Sequence, residues 1–175
     1  MKKNIPLIIG IALPIIFIVV ISAVIFLPSL FVAPAHNFLY STDETVYYNS
    51  ETRYKNTYQV IDGRIILVPA SLTPNAIIKG DMPPLYLYDV KAGASHEITF
   101  ADTQRYALDP GPSSPDGYTL SYQYVNDGMF DLLGSNGNQN GYYVSKGNAR
   151  KRLDGLTTVT NGYYQGDFSL VGWVR

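Results

Sequence analysis

The sequence predicts an all-β domain behind one N-terminal transmembrane helix, and three features support this prediction. Residues 5–32 carry no charge and consist mostly of Ile, Leu, Val and Phe. All 15 tyrosines lie beyond that run, and tyrosine is favoured in β-strands. After residue 57, short apolar runs alternate with Gly, Asn and Asp turns, which is typical of a protein built from short strands.

The N-terminal apolar run is long enough to cross a bilayer. As a straight helix it would extend about 42 Å, against the ~30 Å of a hydrocarbon core. Pro14 lies inside the run and predicts a kink. Lys2 and Lys3 precede the run, and the next positive charge is Arg53. The positive-inside rule therefore places residues 1–4 in the cytoplasm and the C-terminal part outside the cell membrane.

A cleaved signal peptide is the alternative interpretation of the same run. Ala33-Pro34-Ala35 has the small-x-small form that would be cut before His36, and the rest would then be secreted. The run is roughly twice as long as the apolar core of a signal peptide. We therefore favour an uncleaved signal anchor over residues 5–32.

The exported part divides into a polar stalk or lead-in, residues 33–56, and one β domain, residues 57–175. A first strand is expected near residues 45–48. Hairpins are expected where residues 85–88 and 97–100 flank a turn, and again over residues 142–153. The clearest strand pattern is the period-two alternation of residues 118–125. Residues 168–174 form a last apolar strand, and a short helical turn is expected near residues 102–107.

Charge and cysteine content exclude several function classes. Beyond Lys3 the chain has 11 basic and 14 acidic residues, without a basic stripe, which argues against nucleic acid as a partner. The chain has no cysteine, so thiol catalysis, cysteine-based zinc sites and a lipidated cysteine are excluded.

The exported part contains an internal repeat. Asp62-Gly63 recurs as Asp116-Gly117 after 54 positions, and each pair precedes a strand and then a hairpin. Residues 85–90, with Glu97-Ile98-Thr99 and then Ser114-Pro115-Asp116-Gly117, resemble the WD-like repeats of TolB-type β-propellers. The resemblance covers about residues 60–174.

This resemblance implies blade-like antiparallel sheets that act as docking surfaces for proteins. A propeller needs at least four blades, and this chain holds two and a fraction. We therefore expect either several chains that complete one another, or an open sheet or small sandwich.

No catalytic or metal signature stands out. His36 and His96 lack a second ligand at zinc spacing. Asn136 to Gly141 imitates the start of a calcium loop, but Gly147 occupies the position of the bidentate Glu. Five aspartates leave a carboxylate-based hydrolase open as a lesser alternative: Asp102, Asp109, Asp116, Asp127 and Asp131. Two of them, Asp116 and Asp127, precede a Gly, as turn residues do. We expect no enzyme, no cofactor and no metal.

The aromatic residues are the candidate binding residues. In strands, alternate side chains share one face, so pairs such as Tyr86 and Tyr88 lie together. They are expected either in a sheet core or on an exposed platform for peptide or glycan. The full candidate set is Tyr86, Tyr88, Tyr118, Tyr122, Tyr124 and Trp173.

The expected function is a non-enzymatic, membrane-anchored interaction module of a bacterial-type cell envelope. Its partner would be a protein or a second copy of the chain. The alternative is a wall- or glycan-binding module that uses a Tyr-rich sheet face.

Overall fold

The computed structural model describes residues 5–43, 52–72, 74, 76–123, 140–147, 149–156 and 167–175. The predicted all-β class of the part after α1 is confirmed, since strands dominate it and α2 is a single helical turn. The elements in chain order are α1 (Ile5–Leu30), β1 (Phe38–Asp43), β2 (Thr52–Tyr54), β3 (Asn56–Ile61), β4 (Arg64–Pro69), β5 (Ile77–Gly80), β6 (Leu85–Asp89), β7 (Ala94–Glu97), α2 (Phe100–Thr103), β8 (Leu108–Asp109), β9 (Thr119–Gln123), β10 (Gly141–Lys146), β11 (Ala149–Arg152) and β12 (Asp167–Val174).

The N-terminal apolar run forms α1, which ends at Leu30. Between residues 9 and 24 its large apolar side chains are exposed, as at Leu13, Phe17 and Val24. In the part of the chain that the structure describes, no helix is both long and apolar enough to span a membrane.

A five-stranded antiparallel sheet forms the centre of the domain, in the order β7-β6-β1-β12-β8. Its middle strand, β1, lies within residues 33–56, the segment expected to be a polar lead-in. That expectation is wrong for residues 38–42, since Phe38, Leu39 and Tyr40 are each at most 1% exposed. The strand expected at residues 45–48 lies outside the described residues.

Both faces of this central sheet are buried. Alternation along β1 sends Phe38 and Tyr40 to one face and Leu39 to the other. The first face packs against β10 through Val144, together with Val32 from the segment that follows α1. The second face packs against Val60 and Ile65 of the β3–β4 hairpin. We call these the aromatic face and the aliphatic face.

A β-bulge in β12 brings two aromatic residues to the same face. Its register with β1 shifts between Leu39 and Tyr40, so that one residue of β12 is left over. Phe168 and Trp173, an odd number of positions apart, therefore both pack on the aromatic face. Gly172 at the bulge has no room for a side chain, because a Cβ there would lie 2.9 Å from the carbonyl oxygen of Asp109.

Both predicted hairpins are present, but the second strand of the first one, β7, lies at Ala94–Glu97 instead of residues 97–100, and Phe100 begins α2. The surroundings of the two hairpins also differ. β6 and β7 belong to the central sheet, whereas β10 and β11 form a separate three-stranded sheet with β9. In the first unit of the internal repeat, β4 pairs with β3 and makes no ladder with β6, whereas in the second unit β9 pairs with β10. β12 joins the central sheet beside β1. Among the described residues no closed propeller is present, and the blade resemblance stays a prediction.

Candidate functional site

The aromatic residues expected to bind a ligand lie mainly inside the protein. Trp173 is 0% and Tyr88 3% exposed, and both pack on the Phe38 ring, with centroids 5.2 and 4.9 Å away. Tyr86 stacks on Tyr40 at 5.3 Å. These three residues therefore belong to the core between the two sheets, where a ligand could stack on Trp173 or Tyr88 only after the core had opened.

The remaining candidate tyrosines lie around the three-stranded sheet. Tyr122 contacts the Tyr142 ring edge-on at 5.1 Å, and Tyr142 in turn packs on Phe168 at 4.4 Å. Tyr118 packs at the border of the same aromatic cluster. Tyr124 lies outside the described residues. The candidate tyrosines with described side chains thus lie in or beside one cluster, and they do not form the exposed platform that a glycan needs.

The Ser-Pro-Asp-Gly turn holds the segment that leaves α1. The Ser114 hydroxyl donates to Asp116 at 2.5 Å, and the other carboxylate oxygen of Asp116 accepts the backbone N–H of Ala35 at 2.8 Å. The Ala33 N–H donates to the Tyr118 hydroxyl at 3.3 Å. With Val32 3% exposed in the core, the chain passes directly from α1 into the domain without a free stalk.

The Asp116 carboxylate accepts these two hydrogen bonds, and they affect its pKa. Partial burial would raise its pKa, but the hydrogen bonds from Ser114 and Ala35 outweigh burial and hold the pKa below its usual range. His36 adds a smaller effect in the same direction, and its Nδ1 lies 2.8 Å from the carbonyl oxygen of Val174. This motif is therefore a structural clamp between the helix exit and the domain.

A groove opens at the end of the central sheet where β6 begins and β7 ends, with a volume of about 650 Å³. That volume is within the range of ligand-binding clefts. Its walls come from β2, β3, the proline turn before β6, and the segment from the end of β7 into α2. Its main lining residues are Tyr54, Tyr58, Met82, Pro83, Glu97 and Phe100.

One side of the groove is held rigid by its own hydrogen bonds and packing. The Tyr58 hydroxyl donates to the carbonyl oxygen of Pro83 at 2.8 Å, and the Tyr58 ring stacks on Phe100 with centroids 6.2 Å apart. Burial, with a smaller contribution from Tyr54, raises the pKa of Tyr58 to about 12. Tyr58 is therefore a neutral donor at any physiological pH. Met82, by contrast, is 46% exposed.

The two charged groups that line the groove within the described ranges are both acidic. Asp102 is engaged locally, since the Thr99 hydroxyl donates to its carboxylate at 2.6 Å and lowers its pKa. Glu97 is exposed, and among the described residues it forms no ion pair or side-chain hydrogen bond. Burial raises the pKa of its cross-strand neighbour Tyr86, and the Glu97 charge adds to that rise.

The aspartates that suggested a hydrolase have structural partners. The Asp102 carboxylate accepts the hydroxyl of Thr99, the N-cap of α2, while Asp116 accepts the Ala35 N–H and Asp109 accepts the Gly111 N–H at 3.1 Å. Asp127 and Asp131, like residues 136–139 of the calcium-like loop, lie outside the described residues. Across the described ranges, no three His, Asp or Glu side chains are grouped so that they could hold a metal ion.

Sequence reasoning missed the groove because its described residues come from four separate segments. One signal was present: residues 57–61 alternate and are followed by Asp62-Gly63, a hairpin turn that would have placed Tyr58 on a strand. Comparison of the chain with family models, with curated proteins and with solved structures finds no match in any of the three.

Proposed function

We propose that this chain is a membrane-anchored interaction module that binds a partner protein outside the cytoplasm, and that it is not an enzyme. The observation that carries this proposal is the open groove at the end of the central sheet. Aromatic and proline walls suit a polypeptide, since peptide-recognition grooves combine apolar walls with a few polar groups. A cell envelope of the bacterial type is the setting we propose.

The anchor in this proposal is the apolar run of residues 5–32, supported by the absence of charge and by the two lysines that precede it. The contacts of Val32, Ala33 and Ala35 hold the domain against the end of α1. Val32 lies on the aromatic face, whereas Tyr58 and Phe100 of the groove pack with the aliphatic cluster. A domain anchored in this way would turn its groove away from the helix exit.

The geometry favours a protein partner over the alternative glycan-binding module. A glycan platform needs exposed rings, and Tyr88 and Trp173 are enclosed in the core. The rings that line the groove are instead combined with Met82 and two prolines, which suits an apolar peptide side chain.

Site-specific photo-cross-linking in the native cells tests this function. A photoreactive amino acid replaces Met82 in the groove or, as the matched control, Leu72, which is 43% exposed and does not line the groove. We expect a discrete protein adduct from position 82 that position 72 does not give. The same adducts from both positions, or none from either, would contradict the groove as the binding site.

The anchor has its own test in the same cells. Membranes are washed with alkaline carbonate, and intact cells or spheroplasts are treated with protease. We expect the full chain to stay with the membrane after the wash and its C-terminal domain to be digested from outside. Release by carbonate, or protection of the domain from the protease, would overturn the anchored, extracytoplasmic part of the proposal.

A further inference from the structure

We infer that the groove accepts an extended peptide segment with a lysine or arginine side chain, which pairs with the outer edge of β7 and places its cation beside Glu97. This inference rests on the proposed protein-binding function and names the chemistry of the partner. Three separate observations lead to it: the charge of the groove, its aromatic lining and the geometry of the β7 edge.

The charge of the groove is complementary to a cation. Among the described residues that line it, Glu97 and Asp102 alone are charged, and Glu97 has no cationic partner in that part of the chain. Asp81, just before the proline turn, is already paired with Lys55 at 2.7 Å. A bound lysine or arginine would therefore find its carboxylate at Glu97, where a charge-assisted hydrogen bond can form.

The aromatic lining suits the residues that flank the basic one. Glu97 lies on the same sheet face as its cross-strand partner Tyr86, whereas Tyr58 and Phe100 pack with the aliphatic cluster. Neighbouring side chains of an extended segment alternate between the two faces, so apolar residues next to the lysine or arginine would meet those rings and Met82. Lys79 already lies 5.9 Å from the centroid of Tyr54, so a tyrosine ring of the groove attracts a cation within the chain itself.

The edge of β7 explains why the segment is extended. The Ile98 N–H donates to Leu85, so Leu85 and Ile98 are a hydrogen-bonded pair of the β6–β7 ladder. In an antiparallel ladder such pairs alternate with non-bonded ones. The N–H and carbonyl groups of Glu97 and Ser95 therefore point away from β6.

The outward-pointing backbone N–H groups of Ser95 and Glu97 differ in their hydrogen-bond partners. The Ser95 N–H donates to the carbonyl oxygen of Gly155 at 3.1 Å, so this end of the edge is covered. No described backbone group bonds the outward N–H of Glu97. The uncovered position adjoins the groove, and an extended segment could add there by strand pairing.

Selection from a random peptide library tests the inference. The full chain is reconstituted in nanodiscs of neutral lipid, and bound peptides are sequenced and then titrated. We expect enrichment of one lysine or arginine flanked by apolar residues. Glu97→Gln should weaken the selected peptide about ten-fold, which corresponds to about 1.4 kcal/mol. Asp62→Asn, an exposed change in the β3–β4 turn, should leave the affinity unchanged.

Backbone pairing has a separate readout with the same peptide. N-methylation of single amides, one at a time, should abolish binding at the one amide that donates to the outward carbonyl of Glu97 and be tolerated at the other positions, because the Ser95 position of the edge is already covered. An even tolerance of methylation along the whole peptide would overturn strand pairing.

The outcomes separate this inference from the proposed function. Selected peptides without a basic residue that still depend on Met82 would overturn the inference and leave a protein-binding groove. Peptides whose affinity is unaffected by both Met82→Ala and Glu97→Gln, or no peptides at all, would count against the inference and the groove together. Met82 is exposed, so its replacement leaves the fold intact.

Discussion

The two faces of the central sheet are buried by different kinds of side chain. On the aromatic face, the rings of Phe38, Tyr40 and Trp173 interlock with one another and with the three-stranded sheet. On the aliphatic face, smaller side chains such as Leu39 and Leu108 lie beneath the β3–β4 hairpin. The first face includes the helix exit through Val32, and the second borders the groove.

This difference shows that a high aromatic content does not mark the binding site in this domain. Large rings fill the space between two sheets and leave little of themselves for a ligand. The cover of the aliphatic face leaves an opening where β6 begins and β7 ends, lined by Tyr58, Met82 and the last residue of β7, Glu97. In this domain, therefore, the richest aromatic cluster provides stability, and the incomplete cover provides the candidate site.

The largest loss of folding stability is expected from a substitution on the aromatic face. Phe38→Ala should cost about 3–5 kcal/mol of the free energy of unfolding, because it removes a ring that contacts both Tyr88 and Trp173. Trp173 is the sole tryptophan, so its fluorescence reports on this cluster during denaturant unfolding. Leu67→Ala on β4, where the side chain is 37% exposed, should stay within about 0.5 kcal/mol. A loss below about 1 kcal/mol for Phe38→Ala would contradict an interlocked aromatic face.

A second effect tests the bulge that lets Phe168 and Trp173 share that face. Gly172→Ala places a Cβ 2.9 Å from the Asp109 carbonyl and 3.2 Å from Val60, so β12 must move away from β8. We expect a loss of about 1–3 kcal/mol, as in other overpacked sites. Ser169→Ala, exposed on the same strand, is the control and should be neutral. Equal stability of the two variants would mean that the close approach is not required.

Much of the local structure could be predicted from the sequence. The hairpins β6–β7 and β10–β11 have turn residues between apolar runs, and the alternation of residues 118–125 predicted β9. Such signals lie within about ten neighbouring residues. Gly93 and Gly147 have a positive φ in the two turns, a conformation that glycine adopts without steric cost.

The arrangement of the strands could not be predicted, because it depends on pairing between distant segments. β1 and β12 are adjacent although most of the chain separates them. The polar residues around residues 38–43 gave no sign of a strand in the sequence. The strand there, β1, is buried because it lies between β6 and β12. The bulge at Gly172 also reverses the alternation of β12. The sheet face on which each β12 side chain lies could therefore not be predicted from the sequence.

A third effect concerns the clamp at the helix exit. Asp116→Asn removes a charged acceptor of the Ala35 N–H and should cost about 1 kcal/mol at neutral pH. The folded-state pKa of Asp116 is lowered, so its contribution is complete above the ordinary aspartate pKa and is lost as pH falls through the folded value.

Unfolding by urea at a series of pH values measures this contribution. The difference between the original chain and Asp116→Asn should be constant from neutral pH to about pH 5 and shrink below about pH 4. Hydrogen exchange at the Ala35 amide should also accelerate in the variant. Asp62→Asn should show neither change, and a pH-independent difference for Asp116→Asn would refute the role of its charge.

The smallest effect is expected at the groove wall. Tyr58→Phe removes one hydroxyl bond to Pro83 and should cost about 0.5–1 kcal/mol, while the stacked ring on Phe100 stays in place. The pKa of Tyr58 is raised to about 12, so the folded state keeps a proton that the unfolded state loses above pH 10. The contribution of the hydroxyl is therefore complete below pH 10 and declines as pH rises towards 12. Unfolding free energies of the two chains should converge over that interval, and a difference that grows there would show that the hydroxyl is not the buried donor that supports the groove.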